Sequence, residues 1–118
     1  KQREELKMPE FGSAFSGLAN DRKLTHEELV RAIRFMIAAE YEAIQMYTQL
    51  AESTDDKVAI AVLKDISDEE RVHAGEFLKL LKYLDSSEEK FYENGTHEVE
   101  EMIEKIENKA KKGQKKGK

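Results

Sequence analysis

Between Gly17 and Gly75 the chain contains neither glycine nor proline, and its only proline is Pro9. Nothing in that stretch interrupts an α-helix, so long helices are the elements it can build most readily. Thr25 followed three residues later by Glu28 has the spacing of a capping box and marks a helix start. The run "LTHEELVRAIRFMIAAEYEAIQMYTQLAE" then predicts one helix of about 26 residues, roughly 39 Å long at its usual rise. "STDDK" supplies a short turn and the next N-cap, and a second helix is predicted from about Asp56 to Leu84.

The rest of the chain carries weaker signals. Residues 1–24, with Pro9, Gly12, Gly17 and scattered Phe11, Phe15 and Leu18, read as an irregular lead-in. Residues 86–95, ending in Asn94-Gly95, read as a loop. Val99, Met102, Ile103 and Ile106 mark a short third helix over 96–110, and 111–118 reads as a flexible basic tail. The chain begins at Lys1 without methionine, which suggests a fragment or a processed product. No strand alternation survives counting. The expected fold is all-α: an antiparallel helical hairpin over residues 25–85 plus a short C-terminal helix. With 39% hydrophobic against 38% charged residues among 118, a hairpin of this kind has too little apolar material for a thick core. A second copy, dimerising with the first into a four-helix bundle, is the simplest completion.

Composition also narrows the function. A formal charge of −5 argues against a general nucleic-acid binder. No apolar run approaches the roughly 18 residues of a membrane span, and no signal peptide is visible, so the expected setting is cytoplasmic. The absence of cysteine excludes disulfides, thiolate chemistry and zinc knuckles.

Projection of the first helix at 3.6 residues per turn gathers Leu29, Ile33, Met36, Ile37, Ile44, Tyr47 and Ala51 on one stripe, with Glu40 in its middle. The second helix aligns Ala59, Val62, Leu63, Ile66, Phe77, Leu80, Leu81 and Leu84, interrupted by Glu70 and His73. Counted from the turn, these polar groups lie within one or two helical turns of the same height. A buried lone carboxylate costs several kcal/mol unless it is neutralised or paired. No lysine or arginine shares either stripe. Two copies would bring together four glutamates and two histidines, a donor set that suits a pair of hard metal ions. The i, i+3 spacing of Glu70 and His73 lets both reach one ion. Taken singly, Glu-x-x-His is more often solvated surface, and only Glu40 at the same height shifts the balance. Tyr47 could hydrogen-bond a ligating carboxylate or simply fill the core, and Glu42 could guide ions inward or face solvent. His26 and His97 read as plain surface.

The blocks "AAEYEAIQMY" and "DEERVHA" resemble the encapsulated ferritins, short ferritin-like proteins distantly similar to rubrerythrins and bacterioferritins. The resemblance covers roughly residues 24–84. It implies a half-ferritin whose second copy completes a di-iron ferroxidase centre, with Glu40, Glu70 and His73 as the catalytic metal ligands. It further implies a decamer of five dimers housed in an encapsulin shell that stores the oxidised iron. The family's acidic residue before the ligand glutamate is Ala39 here, and its tryptophan is Met46, so only Glu42 remains of the acidic access pair. Two other readings stand beside this one. A metal-free helical adaptor would use the same glutamates to meet a basic partner helix, and a rubrerythrin-like peroxidase would need an external electron donor.

Overall fold

The structure is a computed structural model, described here for residues 21–116. The described residues form three helices: α1, His26–Glu52; α2, Lys57–Leu84; and α3, Ser87–Lys116. Residues 21–24 lie outside any helix, as expected, whereas the rest of the expected lead-in, residues 1–20, falls outside the described residues.

The start of α1 follows the capping-box spacing. Thr25 Oγ1 accepts from the Glu28 amide at 3.2 Å, and the Glu28 carboxylate accepts from the Thr25 amide at 2.8 Å. Arg22 adds a two-pronged contact to the same carboxylate at 2.7 and 2.8 Å. That guanidinium first, and the Thr25 amide second, hold the Glu28 carboxyl down to a pKa of about 2. At the other end, Ser53 closes α1 and Asp56 caps α2 through the Ala59 amide at 2.8 Å.

α1 and α2 pack antiparallel along their length, around a thin seam. Val30, Ile33, Ile37 and Leu81 form its buried centre, backed by Phe77, Leu78 and Leu84. Further along, Ala51, Ser67 and Ala74 are buried, and Thr48 and Ser67 join their hydroxyls at 3.1 Å. These small residues let the helices approach closely. The apolar stripes therefore divide. Ile33, Ile37, Ala51 and Leu81 turn inward, whereas Leu29, Val62 and Leu80 remain exposed, and Met36, Ile44, Tyr47, Leu63 and Ile66 are half-buried. The stripe is wider than one partner helix can cover, so the hairpin leaves an apolar face open.

The third helix corrects two boundaries. The segment expected as a loop over 86–95 is helical from Ser87, and the expected flexible tail is helical as far as Lys116; residues 117 and 118 lie outside the described residues. α3 is the longest of the three helices, with 30 residues. Local turn propensity at Asn94-Gly95 misled the sequence reading, because an interior glycine costs only about 1 kcal/mol and the start of α3 is held by tertiary contacts. Asp85 accepts from the Ser87 amide at 3.0 Å and from its hydroxyl at 2.6 Å. Buried Glu88 accepts from Arg34 at 2.5 Å and also from the Tyr92 hydroxyl. These partners, Tyr92 first and Arg34 next, lower the Glu88 pKa, while the carboxylate raises that of Tyr92. Lys82 lies over the Tyr92 ring, 5.9 Å from its centroid. Lysines near the far end of α3 favour the negative end of its dipole. His26 is likewise more than plain surface: its Nε2 donates to the Leu84 carbonyl at 2.7 Å and ties the start of α1 to the end of α2.

Candidate metal centre

Glu40 sits at the middle of α1, one helical turn beyond Ile37, and α2 brings Glu70 and His73 opposite it, one turn before Ala74 and Phe77. The antiparallel packing thus brings together the three residues that sequence spacing singled out. One oxygen of Glu40, one oxygen of Glu70 and one His73 ring nitrogen all lie within 4.8 Å of one another. His73 Nδ1 is 3.6 Å from Glu70 Oε1 and 3.8 Å from Glu40 Oε2. Both separations are too long for direct hydrogen bonds. They approach the roughly 3–3.5 Å between neighbouring ligands of a metal ion held at about 2.1 Å from each donor.

The two carboxylates are mostly covered, with side chains 17% and 19% exposed, whereas that of His73 is 49% exposed. The centre is therefore closed on the α1–α2 side and open on the other. Glu40 Oε2 is buried and has no hydrogen-bond partner among the described residues. An unpartnered buried carboxylate oxygen is costly. The neighbouring Glu70 carboxyl, close enough to share a proton, raises the Glu40 pKa above the ordinary range; burial adds to the shift, and His73 works against it. When both acids are ionised neither can donate to the other, which agrees with the orphaned oxygen. The protein thus has two ways to relieve the cluster: a shared proton, or a cation. Two carboxylates and an imidazole make a donor set for iron, manganese or zinc, and three protein donors leave coordination positions free toward the open side.

The other sequence candidates stand apart. Tyr47 is half-buried in α1 and makes no hydrogen bond to the three donors among the described residues. Glu42 is exposed and is not part of the cluster. His97 lies in mid-helix rather than at a helix start, exposed, 3.7 Å from Glu100 and 3.6 Å from Glu101. Sequence reasoning overlooked the clamp of Arg34, Glu88 and Tyr92. Its only advance signal was an arginine on α1, which reads as ordinary solvated surface.

Comparison with known proteins bears on the fold and the family. The sequence model of the rubrerythrin family matches residues 27–118. A ferritin-like–encapsulin shell fusion protein of Pyrococcus furiosus is 38% identical over 82 residues, covering 70% of this chain and 24% of that protein. The encapsulin nanocompartment cargo protein EncC of Myxococcus xanthus is 45% identical over 64 residues, covering 54% of this chain and 49% of that one. The chain thus matches about a quarter and about half of the lengths of these two relatives. Among solved structures, the encapsulated ferritin domain from Pyrococcus furiosus superposes with a TM-score of 0.68 at 36% identity, covering 73% of this chain and 88% of that one. A family match across all three helices, joined to that structural agreement, establishes that the chain belongs to the rubrerythrin family of ferritin-like proteins, alongside the encapsulated ferritins.

Proposed function

We propose that this chain oxidises Fe(II) to Fe(III) at a di-iron centre completed by a second copy of itself. The observation that carries the reading is the buried, unpartnered Glu40 Oε2 facing Glu70 and His73 on the open side of the hairpin. In this reading Glu40, Glu70 and His73 from each of two copies hold two iron ions between them, and the half-buried Met36, Ile44, Leu63 and Ile66 pack against their counterparts. The four-helix bundle buries the apolar face that a lone hairpin leaves open.

Iron is the substrate here, and two Fe(II) supply the two electrons that reduce one dioxygen, with two protons, to hydrogen peroxide. The carboxylates favour the product state, because hard anions stabilise the higher charge of Fe(III) more than that of Fe(II). Neutral His73 offers its ring nitrogen without adding charge. Glu40, whose pKa is raised in the metal-free chain, gives up its proton when an ion binds, so affinity rises with pH. Tyr47, in this reading, steadies a ligating carboxylate only once the second copy is docked, and exposed Glu42 attracts incoming ions. That one relative is an encapsulin shell fusion and the other an encapsulin cargo protein supports housing within an encapsulin shell, which would store the oxidised iron. Five such dimers in a ring are the assembly that the family resemblance implies.

The test is the rate of Fe(II) oxidation in air, followed by the ferric absorbance. Replacing Glu70 or His73 with alanine is expected to lower it by more than the roughly 10–100-fold that loss of a ligand's outer-shell partner costs. A Glu70→Ala protein that oxidises iron at the unaltered rate refutes the proposal. Metal analysis separates the other readings: no bound metal before or after loading favours a helical adaptor, and rapid peroxide turnover with a donor favours a peroxidase.

A further inference from the structure

Beyond its base, α3 packs against no other helix among the described residues. Every residue from 89 to 115 is exposed, yet the helix carries an apolar stripe. Val99, Met102 and Ile106 are 52%, 59% and 69% exposed, and with Gly95 they follow the alternating three- and four-residue steps of a coiled-coil seam. Ile103 and Phe91 widen the stripe on its flanks. Such a face calls for a partner.

The charge along α3 says which one. From residue 88 to residue 107 there are eight glutamates against two lysines, whereas residues 109–116 hold five lysines and no acid. A parallel pair of α3 helices would lay acid beside acid and base beside base. With Val99 level with the partner's Met102, an antiparallel pair lays the lysines of 109–116 beside the partner's Asp85, Glu88 and Glu89. We propose that α3 pairs antiparallel with α3 of a second copy of this chain, along the seam of Gly95, Val99, Met102 and Ile106.

The register follows from two side chains. With Val99 opposite the partner's Met102, and Gly95 opposite the partner's Ile106, Glu98 faces the partner's Lys105, and by symmetry Lys105 faces the partner's Glu98. Sliding the partner by one heptad brings Glu98 against Glu98 in one direction and Lys105 against Lys105 in the other. Only the middle register is attractive at both positions. Gly95 fits it as well. A Cβ built there meets nothing within 4 Å, so no neighbour among the described residues requires a glycine. Facing the partner's Ile106, the missing side chain leaves room for the larger one. This interface lies on a different element from the metal centre and does not depend on the iron reading.

The full chain tests it directly. Glu98→Lys alone, or Lys105→Glu alone, sets like charges face to face at both ends of the pair and is expected to weaken association about tenfold or more, read by sedimentation equilibrium. Mixing the two variants restores both pairs, so the mixture should associate like the unaltered chain. Because the sequence has no cysteine, a second measurement is free of background. Val99→Cys chains mixed with Met102→Cys chains in a glutathione buffer should form disulfide-linked dimers faster than either variant alone. The proposal is overturned if the single charge variants associate as tightly as the unaltered chain, if their mixture gains nothing, or if Val99→Cys alone cross-links as fast as the mixture, the mark of a parallel pair.

Discussion

Glu40 concentrates the tension of this molecule in one side chain. It was conspicuous from spacing alone, as a carboxylate amid Ile33, Met36, Ile37 and Ile44. Its orphaned oxygen could not be read from spacing, because that depends on what α2 sets against it. Its raised pKa also has a definite sign for stability. A carboxyl whose folded pKa lies above its unfolded value opposes folding once both forms are ionised, and that cost fades as pH falls through the folded value. The metal-free protein should therefore gain stability on mild acidification through the range just above the ordinary glutamate pKa. Glu40→Gln should flatten that dependence, since the carboxyl with the raised pKa is then gone. Denaturant midpoints across pH check this, and a Glu40→Gln protein with an unchanged pH profile would show that Glu40 is not the source. His26 teaches a smaller lesson: a polar residue at a helix start looked like surface, and only the course of the chain brought the Leu84 carbonyl to it.

At the level of elements, α1 and α2 were legible because their signals are local and repeated: capping residues, a long stretch without glycine or proline, and a 3.6-residue stripe. α3 was legible only over 96–110; its first turns were not, since "YENG" has turn chemistry and the contacts that override it come from Arg34, 54 residues away from Glu88. The clamp invites a direct test. Glu88→Ala removes the acceptor for both Arg34 and Tyr92 and is expected to cost about 1–2 kcal/mol, less than a fully buried pair because Arg34 stays half exposed. Amide hydrogen exchange over residues 87–95 should accelerate, while the centre of α1 keeps its protection. Equal exchange at the base of α3 in both proteins would mean that the helix holds itself without the clamp.

As a whole molecule the single chain is extended, with a radius of gyration of 21.5 Å, well above the roughly 13 Å of a compact domain of similar length. Among the described residues six hydrophobic ones are buried, too few for a self-sufficient core, so association is the expected source of much of the stability. If ions bridge two hairpins, loading the protein with Mn(II), a redox-stable stand-in, should raise its mass by one association step. A chelator should reverse that step, and at a hundredfold excess over the dissociation constant the metal should add about 2.7 kcal/mol of stability. Mass and melting temperature that ignore both metal and chelator would separate assembly from the metal centre. What the sequence determined by itself was the all-helical class, the length of the hairpin helices and the identity of the three central polar residues, because helix periodicity and spacing are properties of consecutive residues. Tertiary structure alone decided which part of each stripe faces inward, that Glu40 is left with an unpaired oxygen, and that α3 runs unbroken from Ser87, because each of these depends on atoms brought together from distant points of the chain.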